Sequence, residues 1–307
     1  MQSTRRLVLA SAGLAALAPR RLVAQAPPPP LVRAEGLHQV TPHVWVIPDN
    51  GVPLVPNVGF VVGDRAALVV DTGLGARNGA AVAAVAARLA GSKPIFLVTT
   101  HVHPEHDLGA HAFPEATTLL RSRDQLRDIE EFGLSLARVF AARSPINAEL
   151  LDGAQFRPAT TVFESEHEFD LGGVRARIMA LGANHTGGDT GIWVEPDRVL
   201  FSGDVAMAPQ PAFASPHSSL RHWLTSLDRL EALRPGLIVP SHGPTGDAGL
   251  IAGYRAYLTE VRDRTAAEKR AGRDADAAVA TVTAAMARYP DRGRLEGAIR
   301  KAFAEAS

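Results

Sequence analysis

The 307-residue chain contains no cysteine, which excludes disulfides, thiolate metal ligands and a cysteine nucleophile. Any metal must be held by nitrogen and oxygen donors. It also lacks a net charge: 32 Lys and Arg balance 32 Asp and Glu, so no overall field recommends nucleic acid or an acidic membrane surface as a partner. A serine nucleophile on a G-x-S-x-G elbow is missing as well. No apolar run is long enough to span a bilayer, since the longest candidate, Leu7 to Leu17, is short and rich in Ala and Gly. What remains is an ordinary globular composition, 46% hydrophobic and 21% charged, sufficient to bury a substantial core.

Residues 1–26 read as an export signal: a positively charged start, a modest apolar run, and the small-residue triplet Ala24-Gln25-Ala26. Arg5 and Arg6, preceded by Ser3 and Thr4, resemble the twin-arginine signal for export of folded proteins, with a general secretory signal as the alternative. The expected location is the periplasm, with no stable membrane anchor. A Pro-rich linker is expected over 27–37, a catalytic domain over 38–247 and a helical extension over 248–307.

After the linker, "HVWVI" from 43, "VGFVVG" from 58 and "AALVVDTG" from 66 read as a meander of strands. Residues 78–90 predict a helix, with Asn78 as N-cap and Gly91 as its stop. "PIFLVTT" (94–100) is a buried strand running into "HVHPEH". Residues 122–153 read as helix or loop, strand character returns from "DLGGVRARIMALGA", and "SLRHWLTSLDRLEAL" is a helix. Strands first in a meander and then alternating with helices predict a mixed α/β architecture. The tail reads as two or three helices without a motif.

Four apolar strands end in a potential ligand: "FLVTT" before His101, "RIMALGAN" before His185, "VLFSG" before Asp204 and "LIVPS" before His242. Ligands gather at the carboxyl ends of strands in α/β sheets, so these ends should converge at one edge. His101 and His103 alternate, so on an extended segment they point the same way.

These residues resemble the metallo-β-lactamase superfamily of binuclear metallohydrolases over residues 38–246. The resemblance rests on "VVDTG" with Asp71, "THVHPEH", "NHTGGDT" with His185, "LFSGD" with Asp204 and "PSHG" with His242, all in the family's order and spacing. It implies an α/β fold, a four-layer αβ/βα sandwich carrying the C-terminal helical extension. It further implies two zinc ions per chain: His101, His103 and His185 on the first, His106 and His242 on the second, and Asp204 bridging, with a metal-bound hydroxide as nucleophile. Asp71 and Asp189 would orient ligands; capping the turn after its strand is the competing role for Asp71.

Glu105 departs from the pattern, which has aspartate there as a ligand of the second metal. An extra methylene moves the carboxylate by about 1.5 Å, a large step against zinc–oxygen distances of about 2.0–2.2 Å. Either the backbone shifts and Glu105 still binds, or Glu105 becomes a proton shuttle, the catalytic role open to it. Among the other histidines, His111 is expected on the surface or in packing, whereas His217 and His222 flank the mouth. The loops 48–57 and 207–218 offer no Lys or Arg to clamp a carboxylate, which predicts a partly apolar, uncharged substrate region.

The leading expectation is an exported zinc hydrolase that opens an activated acyl bond of a small molecule: β-lactam, lactone, ester or thioester. The alternatives are a mono-iron oxygenase acting on a persulfide or thiol, and a non-catalytic binding protein. Neither the substrate nor the oligomeric state is legible in the sequence.

Overall fold

The computed structural model describes residues 31–207, 214–289 and 292–307. The export signal and the start of the linker lie outside the described residues, as does the middle of the 207–218 loop. Two sheets carry the fold. The first is a seven-stranded sheet in simple sequence order: β1 (His38–Thr41), β2 (Val44–Ile47), β3 (Val58–Val62), β4 (Ala67–Val70), β5 (Ile95–Val98), β6 (Thr118–Ser122) and β7 (Thr161–Phe163). Its first four strands form the antiparallel meander, and β4 to β7 run parallel. The second sheet has the order β12-β11-β10-β9-β8, from β8 (Glu166–Asp170), β9 (Arg175–Gly182), β10 (Asp189–Val194), β11 (Val199–Gly203) and β12 (Leu237–Pro240). Only β11 and β12 are parallel there.

The central core lies between the sheets. Val46, Val61, Leu68 and Leu120 of the first meet Ile178, Ile192, Val199 and Phe201 of the second, and burial on both faces explains why these strands are apolar runs. The sheets touch so closely at Gly59 that a Cβ there would stand 2.1 Å from the Phe201 ring, so only glycine fits. The outer face of the first sheet is covered by α1 (Gly75–Ala90), through Val82, Val85 and Ala86. The outer face of the second is covered by α6 (Leu220–Ala232), α7 (Gly249–Arg270), α8 (Ala275–Ala285) and α9 (Arg292–Glu305). Helix, sheet, sheet and helix give the expected four layers with helices at the C-terminus. Among the described residues no helix is long and apolar enough to cross a membrane.

One local expectation is corrected. α1 begins at Gly75, and Asn78 sits inside it, fully buried. Its Oδ1 accepts the backbone N–H of Leu31 and Val32, and its Nδ2 donates to the Leu74 carbonyl. Asn78 is thus an anchor for the chain entering the domain, and Gly91, at φ 63°, ends the helix as expected.

A second helical region connects strands of the first sheet, α2 (Pro104–Asp107) between β5 and β6, and α3 (Arg123–Asp128), a π-helical turn Ile129–Gly133, α4 (Leu134–Ala141) and α5 (Pro145–Leu150) between β6 and β7. A buried ion pair ties α2 to β6. Asp107 and Arg121 are both fully buried, and the Asp107 carboxylate accepts from Arg121 Nε at 3.0 Å and from Thr99 Oγ1 at 2.8 Å. Burying two charges is tolerable only with such full hydrogen bonding, and it fixes the short helix bearing Glu105 and His106.

Candidate metal centre

The strand ends deliver their residues to one place. His101 and His103 follow β5, His185 follows β9, Asp204 follows β11 and His242 follows β12. The ring centroids of His101 lie 4.6 Å from His103, 4.1 Å from His106 and 5.0 Å from His185, and His106 and His242 are 5.2 Å apart. Three overlapping sets have donor atoms within 4.8 Å of one another: His101, His103 and His185; His101, His106 and Asp204; and Glu105, His106 and His242. Asp204 Oδ2 is 3.3 Å from His185 Nε2, so Asp204 stands between the first set and the third.

Hydrogen bonds set which nitrogen of each ring faces the cluster. The His106 Nδ1 lies 2.8 Å from Asp71 Oδ2, and a carboxylate only accepts, so Nδ1 carries the proton. His242 Nδ1 is 3.1 Å from the Val55 carbonyl, which imposes the same tautomer. Thr100 Oγ1 donates to Asp71 and so accepts from His101 Nδ1 at 3.1 Å. The Nε2 atoms of all three rings are left to face the centre. His101 Nε2, His106 Nε2, Glu105 Oε2 and Asp204 Oδ1 are buried with no hydrogen-bond partner, a costly state that bound metal relieves. A set of neutral imidazoles and carboxylates without sulfur suits zinc or iron.

The electrostatics agree. Burial, and then the neighbouring imidazoles, hold His101 and His103 well below the ordinary histidine value, leaving them neutral and able to ligate. His106 differs: burial lowers it, but Asp71 overcomes this through its charge and hydrogen bond and lifts the ring to about 9, so at neutral pH its Nε2 carries a proton that an incoming metal ion must displace. Burial pushes Asp204 up, yet His242, His185, His106 and Arg294 outweigh it and keep the carboxyl below its usual range. Burial raises Glu105, opposed by His106 and His242.

Glu105 has not left the cluster. Its Oε1 lies 3.8 Å from His106 Nε2 and 3.9 Å from His242 Nε2, so the longer side chain still delivers a carboxylate between the two rings.

Asp71 is more than a turn cap. It adopts φ 65°, a strained conformation for a non-glycine residue. From there it accepts from the Thr100 N–H, Thr100 Oγ1, His106 Nδ1 and Ser241 Oγ. Asp189 binds the backbone N–H of His185 and Thr186, holding the loop that carries His185. The second glycine of that loop, Gly188, lies so near α3 that a Cβ would stand 2.1 Å from the Gln125 nitrogen, and its own N–H donates to Asp128 at 2.8 Å.

Burial pushes Asp128 up to about 6. A folded value above the unfolded one means that its contribution to stability is full below about 4 and is lost as pH rises through about 6. Asp128→Asn keeps an acceptor for Gly188 but removes that titration. Its stability relative to the parent should therefore improve between pH 4 and 7 by about 1 kcal/mol, allowing for partial exposure. Urea unfolding in chelator at several pH values checks this, and a pH-independent difference contradicts it.

The remaining histidines separate. His111 is exposed. His222 Nε2 bonds the Leu181 carbonyl and supports the end of β9. His217 stacks on Phe132 at 4.8 Å and lies 3.5 Å from Glu131, joining the 214–218 loop to the π-helical turn. Asp107, Arg121 and Thr100 belong to the supporting structure and carried no signal in the sequence, because their partners are brought together only by the fold.

A family model described as the metallo-beta-lactamase superfamily matches residues 51–242. The chain belongs to the metallo-β-lactamase superfamily. It is therefore of the hydrolase type, and its buried His and Asp groups could bind metal. Among similar proteins, the acyl-coenzyme A thioesterase MBLAC2 of Bos taurus is 26% identical over 202 residues, covering 61% of this chain and 72% of that protein. The Homo sapiens MBLAC2 thioesterase is 25% identical over the same length. Of solved structures, the metallo-beta-lactamase from Pontibacter korlensis aligns with a TM-score of 0.55 and 19% identity over 73% of this chain and 98% of that one. The inverting sec-alkylsulfatase Pisa1 from Pseudomonas sp. aligns with a TM-score of 0.65 and 16% identity over 87% of this chain. This chain spans about half of that sulfatase, 49%. Residues 248–307 are about a fifth of the chain, so a match over 87% of it enters the C-terminal helices.

Proposed function

We propose that the protein is an exported, zinc-dependent hydrolase that opens an activated acyl bond of a small molecule, a thioester, ester, lactone or β-lactam. The observation that carries this reading is the set of buried donor atoms without hydrogen-bond partners, aimed into one space by fixed tautomers. The thioesterases among the relatives favour a thioester as the first substrate class to try. Export to the periplasm is supported by the pattern of residues 1–26.

In this reading His101, His103 and His185 would hold one ion, His106, His242 and Glu105 would hold a second, and Asp204 would contribute a further carboxylate donor. Bound metal would supply Lewis-acid polarisation of the scissile carbonyl and a lowered water pKa. The chain's own residues do the rest. Asp71, the Val55 carbonyl and Thr100 keep the Nε2 atoms of His106, His242 and His101 aimed inward. Asp189 fixes the His185 backbone. Glu105 directs Oε1 toward His106 and His242 as a donor to the second ion, and its Oε2 is buried and unpartnered. A mono-iron oxygenase using His101, His103 or His185 with Asp204 would leave the Glu105, His106 and His242 donors without a role, which favours two ions.

The test is turnover of a panel of thioesters, lactones, nitrocefin and phosphodiesters by the zinc-loaded chain, with metal analysis of protein expressed without added metal. Two zinc equivalents and acyl hydrolysis lost to a chelator are expected. One iron equivalent with oxygen uptake, or turnover that survives chelation, overturns the reading.

A further inference from the structure

The C-terminal helices do more than cover the second sheet. Residues of α6, α7 and α9 line a groove of about 440 Å³, a volume that takes a small molecule. From α6 come Arg221, Leu224 and Asp228, at i, i+3 and i+7 on one helix face. None of the residues in the three donor sets lines the groove, so it is a site separate from the metal centre.

Its walls are tied to one another. Lys269 Nζ donates to the Phe303 and Ala306 carbonyls at 2.9 and 2.6 Å, which fastens the end of α7 to the end of α9. Glu305 Oε2 accepts the Arg221 backbone N–H at 3.1 Å, and Arg221 Nη2 donates to the Glu305 carbonyl at 3.2 Å, which fastens α9 to α6. Arg255 of α7 pairs with Asp228 and Glu231 of α6 at 2.9 and 3.0 Å. A groove shaped in advance costs its ligand little ordering.

By composition the lining is balanced, with Arg221, Arg262 and Arg270 against the side chains of Asp228, Asp263 and Glu305. By pairing it is cationic. Asp228 is engaged by Arg255, Asp263 by Arg262 Nε at 2.7 Å, and Glu305 by the N–H of Arg221. Arg270 is exposed and makes no hydrogen bond or ion pair among the described residues, and Arg262 has only its neighbour Asp263. A free guanidinium presents a planar fork of N–H donors that matches a carboxylate. The floor beside it is apolar, and alanine at 266 and 302 leaves room next to Leu224.

We propose that this groove binds a small organic anion, an apolar body whose carboxylate is received by Arg270. The site goes beyond the hydrolase reading and does not depend on it.

The test is calorimetry on the full, zinc-loaded chain with benzoate and with benzamide, which has the same shape and no charge. Benzoate should bind at least tenfold more tightly than benzamide. Arg270→Gln should weaken benzoate about tenfold, the size of one charge-assisted contact, and Ala266→Glu, which sets a carboxylate on the floor, should abolish groove binding. Arg88→Gln, exposed at the end of α1, removes the same charge elsewhere and should change nothing. Should Ala266→Glu fail to fold, Arg270→Gln decides alone, since its side chain is exposed and unpaired. Benzoate bound to the metals would persist alike in every variant. An isotherm within twofold of the parent in Arg270→Gln therefore overturns the proposal, as do equal binding of benzamide and the absence of benzoate binding. Turnover is not read, so failure of the hydrolase reading leaves the result standing.

Discussion

Asp204→Ala is expected to give a folded protein whose acyl hydrolysis has fallen about 1,000-fold or more, with zinc reduced from two equivalents toward one. Asp204 follows β11 and points into the space between two sets of donors. Its Oδ2 is 3.3 Å from His185 Nε2, and its Oδ1 is buried without a hydrogen-bond partner. No other carboxylate among the described residues stands within reach of both His101 and His106 in the same way. Loss of this group removes the one ligand able to join the two ions, and several kcal/mol of transition-state stabilisation is the scale at which metal sites act. The backbone of the turn is held independently. The Trp223 Nε1 donates to the Val205 carbonyl, and Ser202 Oγ donates to that of Ala206. Circular dichroism should therefore be unchanged while metal content and rate fall. Full zinc occupancy with parental turnover would show that Asp204 is not a ligand.

The ends of the strands were legible in the sequence because each combines an apolar run with an abrupt polar residue, and a period-2 run buried on both faces leaves few alternatives. His101, His185, Asp204 and His242 all follow from that one pattern. Four short strands, β1, β6, β7 and β8, were not legible, since three to five residues of mixed character carry little periodicity. Asn78 was misread because a polar residue ahead of an alanine run looks like a cap from local chemistry alone. Its actual partners, Leu31 and Val32, are more than forty residues away. The same holds for Asp107 with Arg121, which meet only after α2 and β6 have packed. Glu105 lay between these cases. Its position was clear from the motif, but whether an extra methylene would carry it out of the cluster depended on the α2 backbone, which the Asp107–Arg121 pair holds in place.

Asp71→Asn should leave the fold intact and yet lower affinity for the second metal by about 10- to 100-fold, the scale found when a group orienting a metal-bound histidine is lost. The substitution preserves shape, and asparagine tolerates the left-handed conformation that Asp71 adopts at φ 65°. The Asn Oδ1 can still accept from the Thr100 N–H, which donates to Asp71 Oδ1 at 2.7 Å. The other end changes character. Where Asp71 Oδ2 accepts from His106 Nδ1 at 2.8 Å, an amide nitrogen would donate, so His106 Nδ1 must become the acceptor and its proton must move to Nε2. Nε2 is the atom that faces Glu105 and the cluster, and a protonated nitrogen has no lone pair to give. Competition with a zinc chelator at neutral pH should show one site weakened and the other retained, and excess zinc should recover part of the lost rate. Asp71→Ala provides the contrast. It removes the donor as well as the acceptor and leaves the His106 tautomer free, so zinc can still draw the proton to Nδ1, and its second-site affinity should exceed that of Asp71→Asn even though its thermal stability is lower. The opposite order of zinc affinities would show that Asp71 acts through its charge and not by fixing the tautomer of His106.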